Sequence, residues 1–553
     1  MLHLTADPKL LLDEFNLDPQ RSLLFSAIRL DSNPLVSPLI ATQGGNRLLL
    51  VRQQEQGNVL SAGVPAQRIR FYAPWVTIDP RPVADVSVAE SLTELVAELA
   101  RTEQVHLAHD VVYSHFLTLA PSVDVTIERR GRQPVRIHQV RIDDVTARFA
   151  KWRAHGAEVA TELVSGIAHL EGIETEFGAP DTRFRRLASI AAERSIPGCL
   201  IAAPPNFTEV TGLPCVPGAV ALWRPESDIV LVFTVDQGDS DAAEQIYGPT
   251  VGESASLADA ITTYASDRRV GIEEEWVSVG LAQELIDAGV EVVPVSGELA
   301  HWRDVRDNED LPFQLIAART SVYAIEEALD WADRQITAGV KLTELDIFDR
   351  YLGHVDQFRR ENNIPFDVDP YFTNLHSSNR MLFPGPPVDF PIDQSTTCIQ
   401  LDAGVRVSID GVTLATSDMA RSLPRTPEAK EAYGFFFTVV REGIIGQLRP
   451  GVVCESVHEG TMRFLEPHLP RMIEIGMLGD DIDFTTIYRR RNVGHLMGKQ
   501  ESFANELRPG YKHTLDIGSY GAAEIPWRYN NAAIGTEDMW YIGRDRTYVL
   551  TQR

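Results

Sequence analysis

At 553 residues the chain exceeds any single small module and has room for three or four domains of about 150 residues each. It carries 51 basic and 78 acidic residues, a formal charge of −27, which argues against nucleic acid or an anionic membrane surface as a partner. Hydrophobic residues make up 44% and charged residues 23%, ordinary globular values that exclude a wholly disordered chain. The four cysteines, Cys199, Cys215, Cys398 and Cys454, include no CxxC pair. A disulfide scaffold and a cysteine-based zinc site are therefore not expected. The opening MLHLTADPKLLLDEFN has acids where a secretory signal has bases, and no apolar run approaches the ~20 residues of a membrane helix. The expected compartment is the cytoplasm.

Residues 1–165 mix β-rich runs such as Arg47-Leu48-Leu49-Leu50-Val51 with helical stretches such as Ser87 to Leu99, and close on a helical segment from Asp143 to Leu170. They read as an α/β unit without identifiable chemistry. A second α/β unit spans 180–310. It has a helix (FRRLASIAAERS), a buried strand (CLIAA), a loop at Pro204-Pro205-Asn206, strands ALW and IVLVFT, a helix (LAQELIDAG) and a strand (VEVVPV). The third unit, 311–553, begins with a long helix stopped by Gly339 and a second helix announced by Thr343-Glu344. A loop rich in proline, glycine and asparagine is expected over 362–394, followed by a hairpin, helices and further strands.

The residues capable of chemistry concentrate in this third unit. Two β-type runs flank Asp410-Gly411, a strong hairpin signal. A three-residue turn, Ile409-Asp410-Gly411, would set Asp402 directly opposite Asp418. A two-residue turn would pair Asp402 with Met419 and send the aspartates to opposite faces. Facing aspartates repel unless a cation lies between them; the plain alternative is two solvated strand ends. Downstream, His495 lies between Gly494 and Gly498, Asp516 sits in what reads as an apolar strand (TLDIG), and Glu537 in the next. Four carboxylates and one imidazole make an oxygen-rich set that suits one or two divalent ions, manganese, iron or cobalt more than zinc.

The strings LDAG (401–404), SDMARSL (417–423), GHLMG (494–498), RPGYKHTLDIG (508–518) and TEDMW (536–540) resemble, in this order, those of the pita-bread metallopeptidases. That family includes methionine aminopeptidase, prolidase, Xaa-Pro aminopeptidase and the metal-free creatinase. The resemblance places Asp402, Asp418, His495, Asp516 and Glu537 on the family's five metal-ligand positions. AGVKLTELDI (338–347) looks like its helix start, and Pro205 to Gly212 resembles a loop of its creatinase-type N-terminal domain. The layout is similar to the three-domain Xaa-Pro aminopeptidases. It implies two creatinase-type α/β domains, then a pita-bread catalytic domain, in a homodimer.

The departures from the family bear on substrate. Asp516 stands where the family has glutamate, and the 16-residue step from Asp402 to Asp418 is long. The substrate-side histidine that follows the Gly-His string is missing; Glu501-Ser502-Phe503 stands there. Ser377-Ser378-Asn379 leads into Phe383-Pro384 rather than to a histidine, and Gly535 replaces an arginine. The expectation is a metal-dependent hydrolase in which a bridging hydroxide attacks an amide carbonyl of a small-molecule or short-peptide substrate, with His376, Glu501 and Tyr529 replacing the lost groups. The alternative is a lyase or creatinase-like C–N hydrolase acting on a small molecule, for example in a biosynthetic pathway. A catalytically inactive binding module is the third reading.

Overall fold

A computed structural model describes the chain except residues 18–37, 75–87, 130, 179, 236–239, 266–267, 305–308, 379, 381–384, 485–487, 489–490, 498–500 and 530–531. It is an α/β molecule built on mixed sheets covered by helices. The first sheet runs, edge to edge, Val88–Ala89, Ile69–Tyr72, Asn46–Arg52, Leu39–Gln43, Leu2–Thr5, Val105–Leu107 and Val125–Ile127. The second runs Gly252–Ser254, Val135–Arg141, Ile229–Val235, Val220–Trp223, Cys199–Ile201, Arg269–Ile272 and Glu291–Pro294. Val135–Arg141, assigned by sequence pattern to the unit ending at 165, thus belongs to the second sheet, hydrogen-bonded to Ile229–Val235. The helix Ile142–Val164 that follows goes with it. A shared apolar core joins the two sheets. Among the described residues no helix is long and apolar enough to cross a membrane.

Pro204-Pro205-Asn206 opens a helix, Pro204–Thr211, rather than a loop. Prolines at the first two helical positions surrender N–H groups that have no intrahelical acceptor anyway, and Gly212, at φ 61°, provides the left-handed cap. The helix Ile142–Val164 crosses the long helix Leu311–Thr337 closely enough that a Cβ on Gly156 would lie 2.7 Å from the Phe313 ring. Beside this crossing Arg153 pairs with Asp181 at 3.2 Å and with Glu309 and Asp310 at 3.3 Å each. Packing at this crossing holds the second and third units together, while the ion pairs anchor Arg153 to the segment that leads into the long helix.

In the third unit Thr343 and Asp346 form a reciprocal capping box that starts the helix Glu344–Glu361. The expected loop at 362–394 contains an eleven-residue strand, Asp367–Ser377. Its partner is Cys398–Ile409, which also pairs with Val412–Thr416 and Met419–Pro424. A second sheet runs Glu501–Glu506, Gly494–Met497, Tyr520–Tyr529, Ala532–Ile542 and Thr547–Val549. The two sheets meet where the Ser422 hydroxyl donates to Gly535 O at 2.7 Å and accepts from Gly535 N at 2.9 Å. Helices including Pro427–Thr438 and Cys454–Leu465 cover the outer side of the second sheet.

Candidate metal centre

The hairpin that carries the two aspartates resolves the turn question in an unexpected way. Asp410 and Gly411 both have positive φ, 51° and 76°, and Ile409 pairs with Val412, so the turn has two residues. That register alone would separate the aspartates. A bulge follows, because Ser408 pairs with Thr413 but Val407 with Ala415. The extra residue restores parity: Asp402 pairs with Ala420, and Asp418, two residues before Ala420, shares its face as a diagonal neighbour. Gly404 permits the close approach, since a Cβ there would lie 2.0 Å from Ser417 O.

Asp418, His495 and Glu537 are all buried, and each offers one ligand atom within 4.8 Å of the other two. His495 Nε2 lies 3.4 Å from Asp418 Oδ2. Its Nδ1 is 3.1 Å from Leu496 O, and because a carbonyl only accepts, that contact puts the proton on Nδ1. The Nε2 lone pair then faces the carboxylates, the arrangement of a metal-ligating imidazole. Asp402 Oδ2 accepts from Asn374 Nδ2 at 3.0 Å, while its Oδ1 is buried with no hydrogen-bond partner. Burial raises the Asp402 carboxyl well above the usual range and the Asp418 charge adds to it. Burial likewise drives Glu537 well up, reinforced by Asp418, Glu524 and Asp402. Crowded carboxylates that resist ionisation, an orphaned carboxylate oxygen and an imidazole aimed at them fit a hard divalent cation.

The fourth carboxylate is not Asp516. Thr514 makes only an isolated bridge to Val453, and Leu515 is the buried anchor, its N–H bonded to Val452 O at 2.8 Å. Asp516 then points to solvent in a turn closed by Gly518 at φ 92°. Glu524, absent from the sequence-derived set, occupies the inner face of Tyr520–Tyr529 directly across from Glu537. Burial raises its carboxyl, with Asp418 and Glu506 adding to the effect and Arg491 and His495 opposing it. The visible signal for Glu524 is alternation: Ile525, Trp527 and Tyr529 pack among the helices, so Glu524, Pro526 and Arg528 face inward.

The same alternation removes Tyr529 from the site. It stands on the helix-covered face, where a Cβ on Gly479 would lie 2.9 Å from its hydroxyl. His376, expected near the site, is fully buried in the strand Asp367–Ser377, on the face of Asn374 and one pair along, opposite Gln400. Glu501 begins a strand that pairs with Met497, and its side chain lies outside the described residues. Asn379, Phe383 and Pro384 also lie outside them. Asn374 and Arg528 join Glu524 as residues that the motifs did not reveal.

Residues 316–544 match the family model for metallopeptidase family M24, and residues 183–305 match that for the creatinase/prolidase N-terminal domain. No curated protein matches the chain. Among solved structures, the prolidase from Pyrococcus horikoshii OT3 is similar at TM-score 0.52 and 16% identity, covering 67% of this chain and 98% of its own. The prolidase from Pyrococcus furiosus is similar at TM-score 0.51 and 16% identity, covering 66% and 99%. The N-terminal domain of FACT complex subunit SPT16 from Cicer arietinum is similar at TM-score 0.54 and 15% identity, covering 67% and 95%. At these identities the likeness is one of fold.

Proposed function

From the match of residues 316–544 to metallopeptidase family M24 and of residues 183–305 to the creatinase/prolidase N-terminal domain, we propose that the chain is a metal-dependent hydrolase acting on an amide of a small molecule or short peptide. The observation that carries this reading is the convergence of Asp418, His495 and Glu537 within 4.8 Å. Asp402 and Glu524 complete the set that would hold one or two divalent ions, with manganese, iron or cobalt favoured over zinc by the oxygen-rich donors. Such a cation supplies a Lewis acid for the amide carbonyl and brings water into reach of ionisation near neutral pH.

The chain's own groups hold the donors in place. Asn374 fixes one oxygen of Asp402 and leaves the other toward the cluster. Behind Glu537, Arg421 donates to Glu537 O and to Asp538 Oδ1, both at 2.7 Å, so the strand cannot slide. The plane of the His495 ring is set by its bond to Leu496 O.

A second reading, a C–N hydrolase or lyase acting on a small molecule, is favoured by the inner wall near Gly535. A Cβ there would lie 2.7 Å from Gln400 Nε2, so Gln400 fills the space where the family resemblance calls for an arginine. The four cysteines are free thiols, which suits a cytoplasmic enzyme; the homodimer rests on similarity of layout alone. The test is hydrolysis of Xaa-Pro peptides and of small amides, before and after chelation and metal readdition. Metal-restored cleavage of either class supports the proposal, and cleavage indifferent to chelation overturns it.

A further inference from the structure

Two buried groups beside the carboxylates have no part in the reading above. His376 is wholly buried, and neither ring nitrogen meets a hydrogen-bond partner. Arg528 is 5% exposed, and its Nε also lacks a partner. No carboxylate among the described residues makes a direct ion pair with this guanidinium; the charges of Asp402 and Glu524 act on it from beyond that distance. Burying a guanidinium whose fork makes no hydrogen bond is costly, and a planar anionic ligand would supply the missing partners.

Register brings the two groups to one space. His376 sits opposite Gln400, whose Nε2 reaches across to the Gly535 backbone of the other sheet. Gly535 pairs with Pro526, and Arg528 is the next inward residue along that strand. Gln400 Oε1 is buried and unpartnered as well. Burial, followed by the Arg528 charge, holds the His376 imidazole well below its usual value and hence neutral, with one N–H to give. The wall therefore offers a forked cation, an imidazole and an amide, on the faces that carry Asp402 and Glu524.

We propose that Arg528, His376 and Gln400 form an anion subsite that receives the carboxylate of a small acidic substrate, beside the Asp418, His495 and Glu537 cluster. A planar carboxylate matches the guanidinium fork in two parallel hydrogen bonds, and the imidazole N–H adds a third. The subsite deepens the hydrolase reading by naming a substrate class and rests on it only for what happens after binding.

Isothermal titration of the full, metal-reconstituted chain with succinate and with its uncharged isostere succinamide tests this. Succinate should bind at least about tenfold more tightly than succinamide, and R528M should abolish that preference. H376Q should weaken succinate by a smaller factor, and R528K, which keeps the charge but loses the fork, covers the case in which R528M does not fold. Equal binding of the two probes, no succinate binding, or wild-type succinate affinity in R528M or R528K would overturn the subsite. Arg528-dependent succinate binding by a chain that takes up no metal would uphold the subsite and sink the hydrolase reading. Metal uptake with Arg528-independent succinate binding would do the reverse.

Discussion

Glu524 and Glu537 stand directly opposite each other on neighbouring strands, with Asp418 close enough to raise both buried carboxyls further and Asp402 that of Glu537. Cross-strand partners lie about 5 Å apart at Cβ, and like charges there oppose the ladder that holds them. The sheet thus carries a built-in electrostatic strain that a bound cation would relieve.

Removing one charge should therefore stabilise the metal-free protein. In chelator at pH 8, E524Q is expected to unfold at a higher temperature than the wild-type chain, because it removes one of two like charges held opposite each other. With divalent metal added the order should reverse. Thermal unfolding of both proteins in both conditions measures this.

Asn374 acts on Asp402 through a single 3.0 Å hydrogen bond. Loss of such an outer partner typically lowers metal affinity by about 10- to 100-fold. N374A should show that loss in a metal titration while keeping its circular dichroism spectrum.

Gly404 sits where Cys398–Ile409 passes the Asp418 segment, and a Cβ would overlap Ser417 O at 2.0 Å. Backbone cannot yield as a side-chain tip can. G404A should cost about 3 kcal/mol or more, read by denaturant unfolding, and should lower metal affinity because Asp418 is displaced.

Away from the site, Glu273 is buried and accepts from Ala202 N and Ala203 N at 2.6 Å and from Asn206 Nδ2 at 2.5 Å. Burial outweighs these bonds and lifts its carboxyl from 4.5 to about 7. The native state then holds a proton that the unfolded chain has released between these two values. Its contribution to stability is complete below pH 4.5 and is lost as the pH rises to about 7. E273Q mimics the protonated form, so across that interval it should gain on the wild-type chain by on the order of 3 kcal/mol. Parallel stability profiles against pH would show the two curves converging only on the acid side.

The ligand-bearing strings around Asp402, Asp418, His495 and Glu537 were legible because short polar motifs sit between apolar runs. The structure brings these four residues to one place. Asp516 misled because its string resembles the family's, whereas the alternation that begins at Tyr520 points to Glu524. The same alternation separates inward Arg528 from outward Tyr529, a one-residue difference that reverses the face. Asp367–Ser377 falls in a stretch whose proline, glycine and asparagine content reads as loop, and its polar residues include Asn374 and His376. They are polar because they line a buried site. The bulge that restores the parity of Asp402 and Asp418 has no sequence signature at Leu414. Val135–Arg141 joined the wrong unit because strand pairing, not chain order, decides which sheet a strand completes.

Metal content of the purified chain after incubation with manganese and desalting, measured by inductively coupled plasma mass spectrometry on wild-type, E524Q and D516N proteins, tests the central claim most directly. Retained metal in the wild-type and D516N proteins, with a loss of about tenfold or more in E524Q, is the predicted result. A wild-type chain without metal, or loss in D516N with full retention in E524Q, would contradict it.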